Sequence, residues 1–236
     1  MSAPGPQDGR VTELDILVDE SIGRVPAILL RPPDARLLYV LAHGAGAGMR
    51  HHFMSDMAEA LAGCSIATLR YEFPYMAARS RRPDPPPVLH ATVRAAVAEA
   101  TRIAPELPLV AGGKSMGGRM TSGAQAREPL PGVHGLVFLG FPLHPAKQPS
   151  VSRAAHLADV RVPMLFLQGT RDGLADLALI TGVCERLGSL ATLHVVEGAD
   201  HAFEVLKRSG RTNGEVRNEL VRTIEAWCGR SVDTPM

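Results

Sequence analysis

An α/β fold with a mostly parallel eight-stranded sheet and helices on both faces is what this sequence predicts, on three observations. Apolar runs of strand length alternate with helix-period stretches almost from end to end, and such alternation builds a parallel sheet flanked by helices. Most of those runs are continuously apolar, as expected of strands covered on both faces. The chain has 236 residues, 45% of them hydrophobic. That suffices for one sizeable core, and a single α/β domain can run to about 250 residues. One domain over residues 1–236 is therefore expected.

The elements follow in order. The first two strands, VTELDILV and RVPAILLR, alternate in polarity and are joined by DESIGR, which fits an antiparallel edge hairpin with one wet face. Next come the strand LLYVLAHG, the helix HHFMSDMAEALAGC and the strand SIATLRYE. EFPYMAARSRRPDPPP then breaks the rhythm, having no period and much Pro and Arg, the composition of a surface loop. A second reading makes this loop, residues 72–87, a wall of an active-site mouth. Phe73, Tyr75 and Met76 would be its apolar part, and Arg79, Arg81 and Arg82 would meet an anionic substrate. Both readings stay open. Helix VLHATVRAAVAEATRIA, strand LPLVAGG, helix SMGGRMTSGAQAR and strands VHGLVFLG and PMLFLQGT follow. Helix GLADLALITGVCERLG, strand ATLHVVEG and helix NGEVRNELVRTIEAWCG complete the series, the helices marked by apolar spacing and by Ala, Glu, Leu and Arg content.

Composition removes several classes of function. A formal net charge of +1 argues against electrostatic capture of nucleic acid, and 4% aromatics are too few for base-stacking platforms. Cys64, Cys184 and Cys228 are scattered, with no C-x-x-C pair, so neither a zinc site nor a disulfide framework is indicated. The opening MSAPGPQDGR lacks the apolar core of a signal peptide, and no run approaches the ~20 apolar residues of a membrane span. A soluble cytoplasmic protein without nucleic-acid or membrane partners is expected.

In parallel sheets chemistry gathers at the carboxyl ends of strands, and AGGKSMGGRM, Ala111 to Met120, lies at one. Its Gly-Lys-Ser could end a phosphate-binding loop, but the first glycine of that motif falls at Pro108, which has no N–H for a phosphate. HGAGAGM is equally unsuited to a dinucleotide, since its last glycine position is Met49. The surviving reading is G-x-S-x-G, a sharp strand-to-helix turn presenting Ser115, with Gly113 and Gly117 flanking it. A serine hydroxyl needs a base and an oxyanion site. Asp172, in QGTRDGLAD after the seventh strand, and His201, in EGADHAFEV after the eighth, complete the order Ser, Asp, His at the correct edge of the sheet. Ser115 is then the predicted nucleophile, His201 the base and Asp172 its orienting acid. The backbone N–H groups of Met116 and Ala45 are the predicted oxyanion donors.

Neighbouring residues admit blander roles. Asp176 suits a helix cap and Asp200 a turn. Lys114 is read as pointing away from its serine. His51 and His52, adjacent at a helix start, lack a metal-site spacing and are expected at the surface or lining a pocket. His43 either braces the glycine loop or is a satisfied near-core histidine. Gly44, His43, Phe53, Tyr75 and Arg79 form the candidate substrate-binding set.

On GKSMGG, QGTRD and GADHAF, the chain resembles the α/β-hydrolase superfamily over essentially its whole length. HGAGAGMRHHFM, GGKSMGGRM, GFPLHP and QGTRDGLAD are similar to motifs of a compact branch related to dienelactone hydrolases. That branch includes a testis-expressed hydrolase-like protein and a scaffold subunit of a histone acetyltransferase complex. The resemblance implies the Ser115, Asp172, His201 triad and a sheet whose second strand is antiparallel. Dienelactone hydrolases proper carry a cysteine where this chain has Ser115, so their lactone is not carried over. Only FPLHPAKQPSVSRAAHLADVRV separates the sixth and seventh strands, too little for a large lid. The expected function is hydrolysis of small to medium carboxylic esters or thioesters, with no metal or organic cofactor, by a monomer or homodimer. A small peptidase and a non-catalytic interaction module are the alternatives.

Overall fold

A computed structural model describes residues 10–231, apart from the side chain of Ser231. The stretch 1–9, in which no signal-peptide core is read, lies outside the described residues. Eight strands form one sheet in the order β1-β2-β4-β3-β5-β6-β7-β8. They are β1 (Arg10–Asp19), β2 (Gly23–Arg31), β3 (Leu37–Ala42), β4 (Ile66–Tyr71), β5 (Leu109–Lys114), β6 (Val133–Leu139), β7 (Met164–Gly169) and β8 (Ala191–Val196). β2 is antiparallel to both β1 and β4; the pairings from β4 through β3 and β5 to β8 are all parallel. Among the described residues six α-helices accompany them: α1 (His52–Ala62), α2 (Pro74–Ala77), α3 (Pro86–Ile103), α4 (Met116–Arg127), α5 (Leu177–Leu187) and α6 (Asn213–Ser231). This is the α/β-hydrolase fold, with its mixed eight-stranded sheet.

Strand alternation divides the interior into two cores. In β3, Leu37, Tyr39 and Leu41 face a cluster completed by Met54, Met57 and Leu61 of α1 and Val216, Leu220, Ile224 and Trp227 of α6. Leu38, Val40 and Ala42 face the opposite cluster, which holds Val93 and Val97 of α3, Met120 and Ala124 of α4 and Ile180 of α5. β3, β4 and β7 are buried at every position, which accounts for their largely apolar sequences, interrupted only by the buried Thr68 and Arg70 in β4 and Gln168 in β7. β8 departs from that expectation. It is an edge strand, only Val196 is fully buried, and Val195 is exposed.

Local sequence explains the remaining boundaries. The loop expected over residues 72–87 contains α2, opened by Pro74 at a helix-compatible first position. Asp84 accepts the Tyr75 N–H at 2.8 Å there. α5 begins at Leu177, not at Gly173 as its period suggests, because Asp176 caps it by accepting from the Leu179 N–H at 3.1 Å. Between β6 and β7 lies only a 3-10 segment, Ser152–Asp159, and no large lid. Cys184 and Cys228 are buried, free thiols packed as small apolar residues. Among the described residues no helix is long and apolar enough to cross a membrane.

Phe166 has no exposure and packs against the rings of Phe138 and Phe141 at 4.8 and 5.8 Å. Phe166→Ala should therefore lower unfolding stability by about 3–5 kcal/mol in urea titration, with the fold retained.

Candidate active site

Ser115 stands between the end of β5 and the start of α4 with φ 51° and ψ −116°, a strained conformation for a residue with a side chain. The glycines around it leave no choice of residue. A Cβ on Gly113 would lie 2.2 Å from the Ala42 carbonyl oxygen, and one on Gly117 would lie 2.6 Å from the carbonyl oxygens of both Ala42 and His43. The turn is thus pressed against the end of β3 and the loop that follows it.

Parallel strands β5, β7 and β8 end on the same edge of the sheet and bring three predicted residues together. His201 Nε2 lies 2.8 Å from Ser115 Oγ, and His201 Nδ1 lies 2.7 Å from Asp172 Oδ2. A buried carboxylate facing Nδ1 fixes the proton there and leaves Nε2 free to accept the Ser115 hydroxyl proton. The Asp172 side chain is fully buried, whereas that of His201 retains 26% exposure. Asp200 closes the turn that carries His201, its Oδ1 accepting from the Ala202 and Glu204 N–H groups at 2.9 and 3.0 Å.

Two further residues support this chain and escaped sequence reading. Gln168, fully buried near the end of β7, donates from Nε2 to Asp172 Oδ2 at 2.5 Å while its Oε1 accepts the Phe141 N–H at 3.1 Å. A lone polar residue in the apolar run MLFLQG was the available signal. Lys114 is expected to point away from its serine; its Nζ donates to the carbonyl oxygen of His201 at 2.5 Å, and the residue lines the cavity with Ser115.

The loop after β3 is braced from several sides. His43 is buried, donating from Nδ1 to the Gly44 carbonyl at 2.7 Å and accepting the Phe73 N–H at Nε2 at 3.0 Å. Glu72 Oε1 accepts the Met49 N–H at 3.0 Å, and Arg70 donates to the Met49 carbonyl at 3.0 Å. Ala45 and Gly44 face the cavity, and a Cβ on Gly44 would touch Ser115 Cβ at 3.7 Å. Met116, as the first residue of α4, has a backbone N–H without an intrahelical acceptor.

A cavity of about 490 Å³ opens over Ser115 and His201, within the range of small-molecule sites. Phe53, Met54, Ala47 and Leu174 give it an apolar wall, with His51, His52 and Glu204 also lining it. A larger groove of about 740 Å³ between β1, β2 and α3 shares no residue with it and contains none of the predicted site residues. The substrate-binding set divides accordingly. Gly44 and Phe53 line the cavity, while His43, Tyr75 and Arg79 do not. His43 is a brace. Tyr75 packs inward on Phe73 and spends its hydroxyl on the Ala45 carbonyl at 2.9 Å. Arg79 follows α2 in a left-handed turn, φ 57°, and is exposed, as are Arg81 and Arg82.

A family model described as alpha/beta hydrolase domain matches residues 35–229. Among solved structures, a dienelactone hydrolase from Anabaena variabilis is similar with a TM-score of 0.76 at 20% identity, covering 95% of this chain and 99% of that one. A serine hydrolase without a lid from Xanthomonas campestris gives 0.71 at 20% identity over 95% and 97%. The esterase domain of a Rhodothermus marinus protein gives 0.70 at 15% identity over 94% and 99%.

Gly117→Ala tests the contact that aims Ser115. Its methyl group would need two backbone carbonyls to yield, so a loss of about 1–3 kcal/mol is expected in urea titration.

Proposed function

Because the chain belongs to the alpha/beta hydrolase domain family across residues 35–229, we propose that it is a serine hydrolase cleaving small to medium carboxylic esters or thioesters. The observation that carries this reading is the unbroken hydrogen-bonded chain from Ser115 through His201 to Asp172, with Ser115 and His201 facing the cavity. Ser115 Oγ attacks the carbonyl carbon while His201 Nε2 takes its proton, and Asp172 stabilises the imidazolium. The carbonyl electron pair moves to oxygen, and the backbone N–H groups of Met116 and Ala45 receive the oxyanion. Collapse re-forms the carbonyl, breaks the bond to the alcohol or thiol, and returns the proton from His201 to that leaving group. Water then attacks the acyl-Ser115 ester with His201 again as base, releasing the acid and restoring the hydroxyl.

Cavity size supports the substrate class. A volume of about 490 Å³ accommodates an acyl chain and a leaving group of modest size. Phe53, Met54 and Leu174 suit an apolar acyl group. The 3-10 segment between β6 and β7 leaves no insert to enclose a long chain. Dienelactone hydrolase, serine hydrolase and esterase neighbours agree with ester chemistry.

A fluorophosphonate probe should label the wild type, and Ser115→Ala should remove the label. Turnover of p-nitrophenyl esters should fall by about 10⁴-fold or more in both Ser115→Ala and His201→Ala, since the chain acts as a unit. A folded wild type that neither labels nor turns over any ester or acyl thioester would make the protein a binding module. Replacing Arg79, Arg81 and Arg82 together should leave KM unchanged for anionic and neutral esters alike. A rise in KM confined to anionic esters would return that loop to the site.

A further inference from the structure

Of the three lysines in the chain, Lys147 and Lys207 are exposed, while the amine of Lys114 is enclosed next to the Ser115 chain. Burying an ammonium is costly unless it is paired. Burial drives the Lys114 pKa down to about 8, with Asp172 and then Asp200 holding it from falling further. The surroundings are specific. Nζ donates to the His201 carbonyl at 2.5 Å and lies 5.8 Å from the ring centre of Phe53 and 5.4 Å from that of Phe203. Those rings stack with centroids 6.0 Å apart, and a cation over such faces is attracted by the ring quadrupoles. Position matters as much as partner. A Cβ on Gly140 would meet Lys114 Nζ at 3.2 Å, His201 Nδ1 at 3.4 Å and Asp172 Oδ2 at 3.5 Å. Amine, imidazole and carboxylate therefore converge above one glycine.

We propose that Lys114 is a positioning residue: its buried ammonium clamps the His201 carbonyl and so holds the imidazole in line between Ser115 and Asp172. This rests on the reading of Ser115 as nucleophile and His201 as base. Lys114 is not itself the base, because Ser115 Oγ is held by His201 Nε2 and the amine by the His201 backbone. Lys114 ends β5, one residue before Ser115, whereas His201 sits on the loop after β8, at the sheet edge. β6 and β7 separate the two strands, so the clamp ties that loop directly to the strand bearing the nucleophile. A carbonyl belonging to His201 itself fixes the Cα from which the imidazole projects. Arginine is the chain's usual cation, 22 of 25 basic residues, but a planar guanidinium reproduces this single-point contact only in part.

The clamp should be pH-dependent. Below about 8 the amine is charged and holds both the carbonyl and the two rings. As pH rises through that value it becomes neutral, loses its attraction to the rings and donates a weaker bond. Steady-state kinetics on a p-nitrophenyl ester between pH 6 and pH 10, for wild type, Lys114→Met and Lys114→Arg, test this. Melting temperatures serve as a folding control. Wild-type kcat should decline above about pH 8. Lys114→Met should lower kcat by about 10- to 100-fold with KM little changed, as a misplaced catalytic group does, and the decline near pH 8 should vanish. Lys114→Arg should recover part of kcat and also lack the decline, since a guanidinium stays charged throughout. A folded Lys114→Met with wild-type kcat would overturn the proposal. If that variant does not fold, a wild-type alkaline decline persisting in Lys114→Arg overturns it instead. Ester turnover in wild type that depends on Ser115 but not on Lys114 would reject the clamp alone. Absence of Ser115-dependent turnover would reject the proposed function.

Discussion

The backbone of Ser115, held at φ 51° between β5 and α4, is the constraint on which the site depends. A residue with a side chain occupies that region only when its surroundings over-determine it. Here Gly113 and Gly117 do so by lying against the carbonyls of Ala42 and His43. No larger side chain fits, and the approach sets the spacing between the serine turn and the loop after β3. That loop consequently presents Gly44 and Ala45 to the cavity that Ser115 faces. The strain is offset by two buried cores on either face of the sheet, which leave the end of β5 little freedom to relax.

Around this turn, supporting contacts divide into two groups. His43, Tyr75, Glu72 and Arg70 act on the loop that carries the proposed oxyanion donor Ala45, each by a hydrogen bond to backbone within residues 44–49. Gln168 and Lys114 act on the proposed acid and base, one through the Asp172 carboxylate and the other through the His201 backbone. Both groups are largely buried side chains whose polar atoms meet backbone or carboxylate. Such bonds are worth more than their exposed counterparts, because breaking one leaves a polar group without water. The apolar wall of the cavity is, by contrast, supplied by the side chains of Ala47, Phe53, Met54 and Leu174.

Much of this was legible in the sequence, and what was not has two separate causes. Periodicity recovered all eight strands, because a parallel sheet covered on both faces leaves an unmistakable apolar record in β3, β4 and β7. Ser115, Asp172 and His201 were legible because the proposed chemistry calls for fixed residue types at strand ends, and the structure places all three in one hydrogen-bonded chain. For Tyr75 and Arg79 composition leaves open whether they form the cavity mouth or a surface loop. Composition cannot tell that an aromatic side chain turns inward to bond the Ala45 carbonyl, or that a turn aims an arginine at solvent. Gln168 and Lys114 were missed for the opposite reason. Their partners lie 4 and 87 residues away, and only the folded sheet shows that the Gln168 amide and the Lys114 amine end on the Asp172–His201 pair.

Rapid-quench mass spectrometry of the protein during turnover of a slowly hydrolysed p-nitrophenyl ester tests the central claim most directly. An acyl mass increment on the peptide containing Ser115, appearing before steady state and decaying as substrate is exhausted, is the predicted result. Turnover at an undiminished rate in Ser115→Ala, or an adduct that maps to another residue, would contradict it.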